Sequence, residues 1–208
     1  MKNKRDLMIM LKEAGILFAI TLISGLVLGF VYQLTKDPIR LQQERKVREA
    51  CQAVFADAAD FTEQNIVLTA QQQEAYGQMG VTVGDVYLAL DQSGSSLGYV
   101  IEVISSEGYS GNIGLYMGMQ KDGTLNGISI LDISETPGLG MEAGNVLVPQ
   151  FENKKVTAFT YTKTGAQDDT QIDAISGATK TTKAVVNAVN AGLQFFGEAL
   201  QEGGADNE

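Results

Sequence analysis

The 208-residue chain contains no histidine and no tryptophan, a single cysteine and three prolines. Without histidine it lacks the commonest metal ligand and the commonest general base. Haem attachment through Cys-x-x-Cys-His, helical zinc-protease sites and Ser-His-Asp triads are therefore excluded. The lone cysteine, Cys51, cannot form an internal disulfide or hold an iron–sulfur cluster alone. A secreted disulfide scaffold is excluded with it, and Cys51 reads as a small buried side chain. Three prolines against 23 glycines exclude a proline-rich linker and fit tight turns. The chain is 44% apolar and 19% charged, so it has the material for a core and is not a disordered tail. No internal repeat is present.

The net charge of −10 is unevenly spread. Residues 1–50 hold nine Lys/Arg against five Asp/Glu, a net of +4, and the remainder hold six against twenty, a net of −14. An acidic body of this kind repels phosphate backbones, so nucleic acid is not an expected partner.

No charge interrupts the twenty residues from Gly15 to Leu34. A helix of that length spans the roughly 30 Å hydrocarbon core of a bilayer. The stretch is apolar on all sides, unlike a core helix, and no small-x-small cleavage site follows it, so it reads as an uncleaved anchor. Lys2, Lys4, Arg5 and Lys12 precede it, which predicts a cytoplasmic N-terminus and an exported main domain. Lys36, Arg40, Arg45, Lys46 and Arg48 follow it and weaken that asymmetry. The expected division is a cytoplasmic segment 1–14, a transmembrane helix 15–35, an amphipathic stalk helix 36–60, a domain 61–200 and a flexible tail 201–208.

Asp37-Pro38 signals a turn or a helix start. Leu41, Val47, Cys51, Val54 and Phe55 recur at helical spacing after it. Residues 60–80 read as irregular, with a short helix through Gln71–Glu74. Apolar alternation then predicts strands at 86–90, 99–104, 113–119 and 125–133, with a hairpin turn at Lys121-Asp122-Gly123. Val185, Val189, Leu193, Phe196 and Leu200 form the stripe of a final helix over 181–200. The fold class is α+β, an antiparallel sheet flanked by helices behind a single membrane helix.

Two segments carry chemistry. Glu135-Thr136-Pro137-Gly138-Leu139-Gly140 closes the fourth strand, where two glycines allow close backbone approach. Taken alone it is an ordinary Pro-Gly turn. Asp173-Ala174-Ile175-Ser176-Gly177-Ala178-Thr179-Lys180-Thr181-Thr182 precedes the final helix. Unpaired N–H groups and the positive dipole end at a helix start suit an anion. Simple capping uses one hydroxyl; Ser176, Thr179, Thr181 and Thr182 provide four. The segment is not a Walker loop. A hydrolase built on Ser176 or Thr179 needs Lys180 or Asp173 as base, and no triad spacing supports one.

The second segment resembles the flavinylation motif D-x-x-[ST]-G-A-T-x-[ST]-[ST] of FMN-binding domains, and the first matches the E-T-P-G-L-G loop of the same family. Gly108-Tyr109-Ser110-Gly111 is similar to the glycine turn before its central strands. With all three motifs in order behind one anchor, the resemblance covers nearly the whole chain. Length and layout fit best the G-subunit branch in the Rnf electron-transport complex. The C subunit of the sodium-translocating NADH:quinone reductase, usually longer, a stand-alone extracytoplasmic flavin carrier and a flavin-free tethered binding protein remain alternatives.

The resemblance implies FMN joined through its phosphate to Thr179 by a flavin transferase using FAD. It implies a role as one electron-relay station among the other membrane and soluble subunits of a ferredoxin:NAD oxidoreductase that pumps ions. It places Glu135, Thr136, Gly138, Leu139 and Gly140 against the flavin, Ser176, Gly177 and Ala178 in the turn, and Thr182 near the phosphate. Asp173 assists the transferase or the turn. Lys163 and Lys180 are phosphate-neighbour candidates, with solvated surface lysines the competing reading; Tyr109, Tyr116 and Phe151 are aromatic candidates, for each of which core packing is the favoured role. Relatives often carry a histidine before the E-T-P-G-L-G loop; here the chain reads Leu131-Asp132-Ile133-Ser134.

Overall fold

The computed structural model describes residues 2–201. The tail expected over 201–208 lies, from Glu202 onward, outside the described residues. The chain divides into two compact units, one ending at Arg45 and one beginning at Lys46.

Helix α1 (Lys2–Val54) supplies the first unit and the opening of the second. It is the one described helix long and apolar enough to cross a membrane. Leu17, Phe18, Leu26, Leu28 and Phe30 are all exposed, which is the surface a lipid environment requires. Thr21 donates its hydroxyl to the carbonyls of Leu17 and Phe18, at 3.0 and 2.9 Å, so its polar atom is satisfied inside the helix. Contrary to the turn or helix start expected at Asp37-Pro38, Pro38 lies inside α1. A proline removes one i→i−4 hydrogen bond, at a cost of about 3 kcal/mol. Here that local cost is borne by a helix of 53 residues, which continues through it.

In the second unit the last turns of α1 pack on one face of a sheet. Ala50, Cys51, Val54 and Phe55 are buried there with Ala89, Val100 and Tyr116. Burial pushes the Cys51 thiol up to about 12, so it is an inert core group. The sheet is an antiparallel meander of β1 (Asp60–Gln64), β2 (Val81–Leu90), β3 (Ser96–Ser105), β4 (Ile113–Gln120) and β5 (Leu125–Asp132). The stalk helix ends at Val54, short of residue 60, and β1 occupies part of the stretch expected to be irregular. β1 is an edge strand with no buried residue, so it carries no apolar alternation to read. Helix α2 (Ala70–Gln78) is closed at its start by a Thr69–Gln72 capping box.

β4 is buried along seven of its eight residues because both its faces are covered. Ile113, Leu115, Met117 and Met119 join the main core. Tyr116 points the other way, and Gly118 lets α1 approach; a Cβ there would stand 2.9 Å from Val54 Cβ.

After β5 come a short helix α3 (Ala143–Val146) and a parallel pair, β6 (Thr160–Thr162) with β7 (Gln171–Asp173). Helix α4 (Thr179–Phe195) then crosses the sheet face opposite α1, burying Val185, Val189 and Leu193 as its spacing predicts. It continues as a π-helical segment over Phe196–Gln201. The expected α+β architecture is therefore observed. The register pairs Ser105 with Ile113 and Gly114 with Asp132. The β3–β4 turn and the finish of β5 thus lie at one end of the sheet.

Candidate functional site

Both chemical segments meet at that end. A cleft of about 370 Å³ is lined by Tyr109, Glu135, Thr136, Leu139, Gly140, Gly177, Ala178, Lys180 and Thr181. That volume lies within the range of roughly 300–1,000 Å³ typical of small-molecule sites. A larger cleft of about 610 Å³ borders the β4–β5 hairpin and the far end of α4; none of the predicted site residues lines it.

Glu135 organises the cleft from beneath. It is buried, and Oε1 accepts the backbone N–H of Tyr109 at 2.7 Å and of Ser110 at 3.2 Å. Oε2 accepts the Thr181 hydroxyl at 2.9 Å. One carboxylate therefore ties the β3–β4 turn to the first turn of α4. These contacts commit both oxygens to the fold. Gly140 fits beside it because it has no side chain: a Cβ would stand 2.6 Å from Thr181 Oγ1 and 2.7 Å from Glu135 Cβ. Thr136 shapes the loop through its carbonyl, which accepts the N–H groups of Leu139 and Met141. Gly138 belongs to the same turn but does not line the cleft.

The segment before α4 sorts its four hydroxyls. Thr182 is buried; its Oγ1 accepts the Ile175 N–H at 3.1 Å and donates to the Ala178 carbonyl at 3.0 Å. Thr181 is spent on Glu135. Among the described residues, neither Ser176 nor Thr179 uses its hydroxyl in a hydrogen bond; Ser176 is exposed and Thr179 half-buried. Nor does any side chain cap α4, which starts at Thr179 after Ala178. The helix start therefore presents unpaired N–H groups and a positive dipole end beside two uncommitted hydroxyls. Gly177 makes the turn at φ +76°, and a Cβ there would stand 3.0 Å from the Leu139 side chain.

Thr179 stands between two lining residues, Ala178 and Lys180, without lining the cleft itself. Asp173 stands apart. Its Oδ1 accepts the Ala166 N–H at 2.7 Å, and its backbone pairs with the Gln150 side chain. It braces the turn before the motif. Lys163 is exposed and outside the cleft.

Of the three aromatic candidates, Tyr116 and Phe151 are core residues. Tyr109 is 70% exposed and forms a wall of the cleft. Its place beside Gly108 in a tight turn is the signal that sets it apart from the strand aromatics. The Lys180 ammonium stands 5.9 Å from the centre of the Tyr109 ring. Such a contact contributes about 0.5–1 kcal/mol at an exposed site. A cation in the first turn of a helix costs about 0.3–1 kcal/mol. The two offset each other, and the Lys180 charge also acts at longer range on Glu107, whose carboxyl it helps hold down without forming an ion pair. Lys183, one turn on, differs: it pairs with Glu107 at 3.3 Å. Hydrogen bonding by Asn187, with Lys183 adding, holds the Glu107 carboxyl below its ordinary range.

Residues 108–194 match the family model of the FMN-binding domain, and residues 1–54 match that of the RnfG N-terminal region. The chain is 30% identical over 185 residues to the G subunit of an ion-translocating oxidoreductase complex from Methanosarcina acetivorans, covering 88% of this chain and 92% of the relative. It is 31% identical over 192 residues to the same-named protein of Aliivibrio fischeri, covering 89% and 90%. The G subunit of the Na(+)-translocating ferredoxin:NAD(+) oxidoreductase complex of Acetobacterium woodii is 29% identical over 201 residues, covering 94% and 95%. The crystal structure of Shewanella oneidensis NqrC superposes with a TM-score of 0.53 at 18% identity, covering 74% of this chain and 88% of that one. That likeness concerns the fold alone.

Proposed function

The chain belongs to the G-subunit family of ion-translocating oxidoreductase complexes and carries an FMN-binding domain, and from that premise we propose that it is the membrane-anchored flavin station of such a complex. It relays electrons between other subunits of a ferredoxin:NAD oxidoreductase that moves ions across the membrane. Residues 15–35 span the bilayer with the N-terminus in the cytoplasm, the helix runs on as a stalk to Lys46, and the body from there to residue 200 is exported.

FMN is held by a phosphodiester to Thr179. A flavin transferase moves the FMN half of FAD onto the threonine oxygen, the hydroxyl proton is lost and AMP departs. The observation that carries this assignment is the sorting of hydroxyls. Thr181 and Thr182 are committed to internal hydrogen bonds, while Thr179 is uncommitted at an uncapped helix start. The remaining phosphate charge is favoured there by the dipole and the unpaired N–H groups. The residues around the cleft fit a flavin: Tyr109 and Leu139 offer aromatic and apolar walls, and Gly140 and Gly177 let the loop after β5 and the turn before α4 pack closely beneath them.

When bound, the flavin supplies the electron-carrying chemistry. The chain's own residues supply position. Glu135 fixes the two walls relative to α4, Asp173 and Gln150 brace the preceding turn, and Ser176 remains exposed beside the attachment point. Covalent tethering keeps the cofactor outside the cytoplasm, where an exchangeable one is lost.

The test is co-expression of the full chain with a flavin transferase and the neighbouring subunits. The chain is expected to fluoresce as a flavin band after denaturing electrophoresis and to co-purify with the other subunits. A chain that joins the complex without a flavin band contradicts the assignment.

A further inference from the structure

Lys180 is the one cation among the described residues that line the cleft, and among them it makes no ion pair. It sits in the first turn of a 17-residue helix, where the dipole opposes it, with the exposed Tyr109 ring under its ammonium. We propose that Lys180 is the charge-compensating residue of this cleft: it favours the reduced, negatively charged form of the bound flavin, and Tyr109 is the positioning residue that holds the ammonium in place. This rests on the flavin reading of the same cleft.

The physical argument is one of charge balance. An oxidised isoalloxazine ring is neutral. With two electrons from a neighbouring redox subunit and one proton from solvent it would carry one negative charge. A fixed cation at the cleft wall lowers the free energy of that product and leaves the neutral reactant unaffected. A flavin phosphate, by contrast, keeps its charge throughout, so an ammonium serving only the phosphate has no effect on the reduction equilibrium. The geometry favours the ring. Successive residues on a helix point about 100° apart, so Lys180 does not share the direction of Thr179. Its ammonium instead meets Tyr109, which reaches the cleft from the β3–β4 turn. The unpaired N–H groups of α4 already provide for an anion at Thr179.

The experiment uses the full chain in detergent, flavinylated by co-expression with a transferase and checked by intact mass. Its reduction equilibrium is read optically against redox dyes. This readout concerns only loaded molecules, so incomplete loading does not distort it. In Lys180→Met the equilibrium constant for two-electron reduction is expected to fall about tenfold, a potential lower by about 30 mV. Lys180→Glu is expected to fall further and Lys180→Arg to stay near wild type. The gap between wild type and Lys180→Glu should narrow as added salt screens the charge. Tyr109→Ala should move towards Lys180→Met, and Tyr109→Phe should not.

If Lys180→Met and Lys180→Glu, carrying their flavin, both stay within about twofold of wild type, the inference is overturned and the flavin assignment stands. If the wild-type chain carries no FMN mass, the assignment fails and takes this inference with it.

Discussion

Thr181 donates its hydroxyl hydrogen to Glu135 Oε2 at 2.9 Å, joining α4 to the loop after β5 through a buried hydrogen bond across 46 positions of sequence. The other carboxylate oxygen holds the Tyr109 and Ser110 amides. Removing the carboxylate leaves three donors without their acceptor, at a cost of about 3 kcal/mol. Glu135→Ala is therefore expected to lower the denaturation midpoint of the detergent-solubilised chain and to impair flavin loading. Glu135→Gln, which keeps the shape and one acceptor, should lose less. An Ala variant as stable as wild type would show that these bonds hold nothing in place.

Gly140 is required for space. A methyl group there meets Thr181 Oγ1 and Glu135. Overpacking of this kind costs about 1–3 kcal/mol. Gly140→Ala should destabilise by that amount in chemical denaturation. Gly144→Ala, in α3 with nothing within 4 Å of its added methyl, should be neutral or mildly stabilising. Equal effects at the two glycines would contradict the close packing of loop and helix.

Glu102 makes a pH-dependent prediction. Burial pushes its carboxyl above the ordinary value of 4.5, with Asp85 and Asp132 adding and the Asp85 N–H opposing. A carboxyl raised in the folded state binds its proton more tightly there than in the unfolded chain. It therefore costs no stability below the ordinary glutamate value, and its cost grows as pH rises from there and is complete above the raised one. Glu102→Gln keeps an acceptor for the Asp85 amide, 3.1 Å away in the wild type. The variant should be more stable than wild type at neutral pH and indistinguishable from it below the ordinary glutamate range. Denaturation midpoints across pH check this; a constant difference between the two proteins would contradict it.

Both motifs, the anchor and the sheet strands were legible in the sequence because each has a local signature: an apolar run, an alternation, a glycine in a turn. The cleft lining at Glu135, Thr136, Leu139, Gly140, Gly177 and Ala178 follows from those motifs. What stayed hidden depends on distant partners. β1 has no alternation of its own and exists because β2 offers it an edge. The helix through Pro38 contradicts the local proline rule. Glu135 lines the cleft as its motif implies, but the turn and the helix that its oxygens hold are brought to it only by the fold. For Tyr109 the sequence favours core packing, as it does for Tyr116 and Phe151; only the fold separates it from them by placing it at the cleft wall.

The central claim, a flavin on Thr179, is tested most directly by intact mass. The wild-type chain, Thr179→Ala and Ser176→Ala would each be co-expressed with a flavin transferase that is active on a control substrate. Ser176 and Thr179 are the two motif hydroxyls that the fold leaves uncommitted, so the pair isolates the site. The account predicts a gain of one FMN less one water in the wild type and in Ser176→Ala, and no gain in Thr179→Ala. An unmodified wild-type chain, or a Thr179→Ala chain that still gains the flavin, would contradict it.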